Sequence, residues 1–203
     1  MKRDPIEVFS EWADLDKDYG MEKNHENSVK NMLDFAIENK LPFSFIDAGC
    51  GNGWVVRKVS KISNCTQATG VDGSKKMILK ARKINPKINY FHADIMSWSP
   101  KKKVDLVHSM EVFYYLEDPK KLIDNIYRKW LKQYGRLIIG IDFYKENKTS
   151  HDWSETCGIK NMKLLSEKEW LKFLKNSGFR NVKTWKCGAK KDWEGTLIIS
   201  GKR

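Results

Sequence analysis

The sequence predicts an α/β fold, a three-layer sandwich around a mostly parallel sheet, and three observations carry that prediction. Short apolar runs alternate with longer stretches whose apolar residues recur at spacings of three and four. A glycine-rich turn joins the first such run to the striped stretch that follows it. The length, 203 residues, suits about one domain, and a chain of that size buries a core without disulfide or metal staples.

The elements follow in order. Residues 28–37 place Val29, Met32, Leu33 and Ala36 on one helical face. A strand is expected at 43–47, followed by a stripe of Val55, Val56, Val59 and Ile62. A strand at 68–72 leads to the stripe Met77, Ile78, Ala81 and Ile84. Strands at 89–92 and 104–108 precede a helix carrying Leu122, Ile123, Ile126, Trp130 and Leu131, and a further strand is expected at 136–142. The last helix, striped by Leu165, Trp170, Leu171 and Leu174, opens on Ser166-Glu167-Lys168-Glu169, a capping-box signature, and stops at Gly178. Strands at 182–186 and 196–200 complete a seven-stranded sheet. No internal repeat, low-complexity segment or composition break separates a second domain. The expected division is an N-terminal helical lid over 1–40 and one domain over 41–203.

Charged residues make up 32% and hydrophobic ones 40%, a globular balance that excludes wholesale disorder, collagen and membrane bundles. The net charge is +12, yet residues 1–26 hold four Lys/Arg against eight Asp/Glu, so the rest carries +16. Only seven of the 38 basic residues are arginines. Dispersed lysine reads as a solvated surface, since bidentate recognition of phosphates and bases favours arginine. Cys50, Cys65, Cys157 and Cys187 lie far apart with no paired histidine spacing, which argues against a zinc site and a disulfide framework. No metal is expected. The first residues are charged, unlike a signal peptide, and no apolar run approaches membrane-spanning length. A soluble, cytoplasmic protein is the expectation.

The informative motif is Asp47-Ala48-Gly49-Cys50-Gly51-Asn52-Gly53, at the end of the first strand. Glycines there permit a tight turn, allow a ligand close to the backbone, and aim helix N–H groups at an anionic group. A nicotinamide fingerprint requires a third glycine three residues after the second. Counted from Gly49 that position is Trp54, and counted from Gly51 it is Val56, so the register fails. A phosphate loop fails as well, because no Gly-Lys-Ser/Thr follows.

With these residues in place, the chain resembles the class I S-adenosylmethionine-dependent methyltransferases, which are Rossmann-like, over nearly its whole length. The resemblance implies that the glycine loop, Gly49 to Gly53 with Cys50 and Asn52, lies beneath the methionine part of S-adenosyl-L-methionine, with Asp47 at its amino group. Asp72, in Gly70-Val71-Asp72-Gly73-Ser74, matches the acid that holds the ribose hydroxyls, and Met77 would pack on the adenine. His92-Ala93-Asp94-Ile95 matches the segment at the adenine amine. Ser109-Met110-Glu111 and the residues after it, to Leu116, match the floor of the reaction cavity. It further implies antiparallel last strands and S-adenosyl-L-homocysteine as product. The residues themselves agree: carboxylates at strand tips suit a ligand with a ribose diol and an ammonium group, and a sulfonium sits well against carboxylates and aromatic faces. The bland alternative is that Asp47, Asp72 and Asp94 cap helices and turns.

Methyl transfer from a sulfonium chiefly needs alignment and exclusion of water, and a base is needed only where the acceptor arrives protonated. By side-chain chemistry the catalytic candidates are His25, Glu111, Tyr115 and His151, with Tyr19, Tyr114 and Tyr144 as substrate contacts. Each has a packing or surface role as its alternative. The Asn/Asp-Pro-Pro-Tyr/Phe motif of nucleobase amino-methylation is missing after the fourth strand. So are a Pro-Cys nucleophile and the paired glutamates of arginine methylation. An N-terminal segment of net −4 would repel phosphates. A small-molecule acceptor, amines included, is therefore expected ahead of RNA, with a non-catalytic partner subunit as the reading of a different class.

Overall fold

The computed structural model describes residues 2–37 and 41–203. Two helices come first, α1 (Pro5–Asp14) and α2 (Asp18–Ala36). Then β1 (Phe43–Ala48), α3 (Trp54–Val59), β2 (Cys65–Asp72), α4 (Lys75–Ile84), β3 (Asn89–His92) and β4 (Val104–Met110) alternate. A single 3-10 turn, Phe113–Tyr115, leads into α5 (Pro119–Asn125), which widens to a π turn at Ile126–Trp130. After β5 (Leu131–Ile141) come a short α6 (Trp153–Thr156), α7 (Glu167–Asn176), β6 (Arg180–Cys187) and β7 (Thr196–Lys202).

The seven strands form one sheet in the order β3-β2-β1-β4-β5-β7-β6. β1 to β5 pair in parallel, whereas β7 runs antiparallel to both β5 and β6. β6 therefore points the same way as β1, and the expected antiparallel ending belongs to β7 alone. Helix α7 carries the chain back across the sheet before β6, so β6 starts from the same end as its parallel neighbours. The connection at 188–195 then only has to reverse direction into β7.

Alternation along the central strands makes two cores, one on each face. Ile46, Val107, Leu137 and Ile139 pack towards α5, the π turn and α7, with Trp130 and Trp170 fully buried among them. Phe45, Leu106 and Ile138, one residue out of step, pack towards α2 and α3 through Val29, Met32, Val55 and Val59. Where the sequence suggests one helix from 122 to 131, the structure has α5 ending at Asn125, and Leu131 already pairs with Val104 as the first residue of β5.

The helix signals at α7 hold in detail. Ser166 Oγ accepts from the Glu169 amide, and the Glu169 carboxylate accepts from the Ser166 amide. Gly178 follows in the left-handed region at φ +98. The same box opens α1, where Asp4 and Glu7 close it around Pro5.

Candidate functional site

A cavity of about 270 Å³ opens at the carboxyl ends of β1, β2 and β4, beneath α1 and α2. This is where a parallel sheet with helices on both faces presents its ligand site. Asp47 ends β1, and its Oδ1 accepts a 2.7 Å hydrogen bond from His108 Nδ1, its cross-strand neighbour on β4. Both side chains are buried. The turn that follows is held from below, because the Gly49 and Cys50 amides donate to Val71 O. Gly49 has φ +78, and a Cβ there would stand 2.3 Å from Val112 Cγ2. Gly51 has φ +50, and a Cβ would meet nothing nearer than Met77 Sδ at 4.0 Å, so its bare backbone faces the cavity.

Asp72 ties this loop to the next helix. One carboxylate oxygen accepts from the Gly51 amide at 2.9 Å, the other from the Ser74 amide at 2.7 Å. Burial outweighs those donors and raises its pKa. Asp94 forms an Asx turn with the Met96 amide and also lines the cavity. Cys50, Asn52, Gly73, Met77 and Ile95 line it too. Two residues expected at the cofactor do not. Gly53 abuts the Tyr90 ring, where a Cβ would stand 2.5 Å away, and Ser109 is buried with its hydroxyl on Ala48 O. Ser109 lies one step out of the strand alternation that faces the cavity, and Gly53, the N-cap of α3, is covered by the Tyr90 ring.

The other end of the cavity gathers groups from three elements. Glu111, just after β4, is a non-glycine residue at φ +59. Its Oε1 accepts from the Asp142 amide at 2.6 Å and its Oε2 from the Tyr114 hydroxyl at 2.5 Å. The Tyr115 hydroxyl lies 3.2 Å from that of Tyr114. His25, on α2, gives Nδ1–H to Met21 O at 2.7 Å, and its Nε2 stands 3.5 Å from Asp142 Oδ2. Ligand atoms of His25, Glu111 and Asp142 all lie within 4.8 Å of one another. Burial, with the Asp142 charge beside it, pushes Glu111 up to about 8. His25 is raised to about 9: burial opposes the charged ring, but the Asp142 hydrogen bond and the Glu111 charge outweigh it.

Three expected site residues lie elsewhere. His151 is exposed, with Nε2 on Lys145 O. Tyr144 is buried and donates to Gly195 O. Tyr19 is 54% exposed, with Lys80 Nζ 4.4 Å above its ring. None lines the cavity. The segment after β5 turns away at Asn147, whose side chain bonds Asp142 O, so only its first residue stays near Glu111.

Sequence reasoning gave Asp142 and Asp18 no individual role. Asp18 is buried at the start of α2 and joins Asn52 of the glycine loop (2.7 Å) to Lys80 of α4 (2.6 Å). Ser10 and Ser74 add a 2.8 Å hydroxyl contact, and Lys76 pairs with Asp14. No motif marks these residues, since their partners are far away in the chain. In all, Asp4, Asp18, Asp47, Asp72, Asp94, Glu111 and Glu117 line the cavity with His25, and among the described residues no lysine or arginine does.

The strand order, with an antiparallel seventh strand and a glycine loop after β1, defines a Rossmann-like methyltransferase fold. The chain belongs to the methyltransferase domain family, whose model matches residues 20–184. It is 25% identical over 169 residues to malonyl-[acyl-carrier protein] O-methyltransferase 1 of Ilyobacter polytropus, covering 77% of this chain and 62% of that protein. The chain thus spans less than two thirds of that relative's length. A chain from the complex between the Haloferax volcanii Trm112 methyltransferase activator and a methyltransferase superposes with a TM-score of 0.82 at 25% identity. The match covers 100% of this chain and 99% of that one. N-methyltransferase NodS from Bradyrhizobium japonicum, solved with S-adenosyl-l-homocysteine, shares the fold with a TM-score of 0.69 at 20% identity, covering 88% and 86%.

Proposed function

We propose that this chain transfers a methyl group from S-adenosylmethionine to a small-molecule acceptor bearing an amine. The cofactor end fits that ligand. Asp47 offers a buried carboxylate with one oxygen already fixed by His108, which suits an ammonium group. Gly51 leaves bare backbone facing the cavity, with Met77 Sδ beside it. Asp72 and Asp94 line the same cavity, which supports the roles the resemblance implies for them at the ribose and the adenine amine. When bound, S-adenosylmethionine supplies an electrophilic methyl group on a sulfonium. The protein's own part is to hold the acceptor in line and keep water out, which α1 and α2 do by roofing the cavity.

The amine reading rests on one observation: a wall of seven carboxylates with no lysine or arginine among the described residues. The malonyl group of the Ilyobacter relative's named substrate carries a carboxylate, and a wall of this kind repels one. RNA, with a phosphate per nucleotide, fits it no better. A cationic or neutral nitrogen acceptor suits it.

The test has two parts. At about a hundred times Kd, S-adenosylmethionine or S-adenosylhomocysteine is expected to add about 2.7 kcal/mol, raising the melting temperature by about 5–10 °C, while NAD does nothing. Protein incubated with methyl-labelled cofactor and cell extract is then expected to leave label in the small-molecule fraction, on a product that mass spectrometry identifies as a methylated amine. Extract is used because the Haloferax neighbour was solved with an activator protein. No thermal shift overturns the cofactor assignment, and label in RNA or on an acid overturns the acceptor.

A further inference from the structure

Glu111 and Asp142 project from the tips of neighbouring parallel strands, β4 and β5. Two carboxylates this close in a dry wall need positive charge, and His25 provides one imidazolium for the pair. From the elements packed around it, Glu111 meets Asp142 of β5, His25 of α2, and Tyr114 and Tyr115 of the turn that follows it. With the imidazolium matching one of the pair, the second carboxylate has no cation of its own, and Glu111 keeps a proton near neutral pH until a cation enters the cavity. The geometry is also costly to keep, because a buried glutamate here stands in the left-handed region, where a non-glycine backbone is strained. Its amide is secured to Gly140 O at 2.9 Å, and both carboxylate oxygens are pinned by donors. Asp142 Oδ1, in a side chain 8% exposed, has no partner among the described residues.

We infer that Glu111 is the proton acceptor for an acceptor ammonium, with Asp142, His25 and Tyr114 as the residues that position it. The inference rests on the amine reading above. His25 cannot fill that role in the ring state its surroundings favour, because Nδ1–H is given to Met21 O and Nε2 faces the Asp142 carboxylate. Glu111 lines the cavity, and each of its oxygens keeps a second lone pair after taking its donor. In the step, the ammonium N–H bond breaks and its electron pair becomes the nitrogen lone pair. The proton forms an O–H bond on Glu111, so that ammonium plus carboxylate becomes amine plus carboxyl. With its carboxyl lifted to about 8 by burial and by Asp142, Glu111 holds a proton at neutral pH. The entering ammonium displaces that proton to solvent, and the carboxylate so formed then takes the ammonium proton.

A probe that does not depend on the natural acceptor is sinefungin, which carries an amine-bearing carbon where S-adenosylmethionine has its sulfonium. Calorimetry at pH 7 is expected to show wild-type protein binding sinefungin about tenfold more tightly than S-adenosylhomocysteine. A proton is expected to be released on sinefungin binding, seen as a dependence of the heat on buffer ionisation enthalpy. Glu111→Gln is expected to lose both the preference and the proton release while S-adenosylhomocysteine binds as before. Sinefungin preferred equally by both proteins overturns the inference, as does wild-type binding with neither preference nor proton release. The wild-type measurement decides by itself if the variant does not fold. Failure of S-adenosylhomocysteine to bind the wild type overturns the cofactor assignment instead, so the two failures are distinguishable.

Discussion

Asp47 and His108 stand opposite each other on β1 and β4, 61 positions apart in the chain and 2.7 Å apart in space. His108 Nδ1 occupies one carboxylate oxygen of Asp47 and leaves the other for an ammonium ligand. His108 Nε2 is buried without a partner among the described residues. His108→Leu is expected to strand Asp47 Oδ1 and weaken S-adenosylhomocysteine binding about tenfold, a loss within the 1–3 kcal/mol range of an unsatisfied buried group. His108→Asn, whose amide can donate from nearly the same place, is expected to recover most of that affinity. Calorimetric dissociation constants that do not change in the leucine variant would refute the role. At this scale Asp47, Asp72, Gly49 and Gly51 were legible as cavity residues because they are local to strand ends, whereas Gly53 turned out to abut Tyr90. The His25–Glu111–Asp142 cluster was legible only in pieces, because strand order brings β5 beside β4 and no spacing in the chain records it.

The N-terminal helices show what periodicity leaves unread. The second half of α2 carries an apolar stripe that packs on the sheet, and the sequence shows it. Its first half, Asp18 to Asn27, is largely polar and turns its larger groups, Met21 and His25, to the cavity instead of the core. A helix that faces a ligand space lacks the apolar face that betrays a helix facing other side chains. α1 opens on Asp4-Pro5-Ile6-Glu7, a capping box that the reading from apolar periodicity passed over. What holds both helices in place is polar: Asp18 links to Asn52 and Lys80, and Ser10 to Ser74. Asp18→Ala is expected to leave Asn52 Nδ2 without its acceptor and cost about 1–3 kcal/mol. Trypsin is then expected to cut after Lys17 or Lys23 several times faster than in the wild type, with the sheet retained by circular dichroism. Equal cleavage rates would mean that Asp18 does not secure these helices.

At the scale of the molecule, charge is segregated: a chain of net +12 encloses a cavity walled by acids. Long-range repulsion of a cationic ligand is screened beyond roughly 8 Å at physiological salt, so the wall and the acidic N-terminal segment govern its entry. The second is already visible in the charge of residues 1–26, whereas the wall needed the fold to assemble it. The same segregation sets how stability responds to pH. Glu111 rises from 4.5 to about 8 on folding and His25 from 6.5 to about 9. Both are raised, so the folded state binds more protons than the unfolded chain through the interval from about pH 4.5 to 9. Their contribution is full below the unfolded values and is lost as pH climbs through the folded ones. The carboxylates that folding lowers, such as Glu169 at about 2 on α7, change stability only below that interval. The melting temperature at constant ionic strength is therefore expected to fall from pH 5 to pH 9. Glu111→Gln is expected to flatten the part below about pH 8 and leave the part due to His25. Scanning calorimetry on both proteins separates this from any change in overall charge repulsion, which the two share almost equally. Parallel curves for wild type and variant would show that Glu111 is ionised in the folded protein at neutral pH, and that the cavity carries its full negative charge before any ligand arrives.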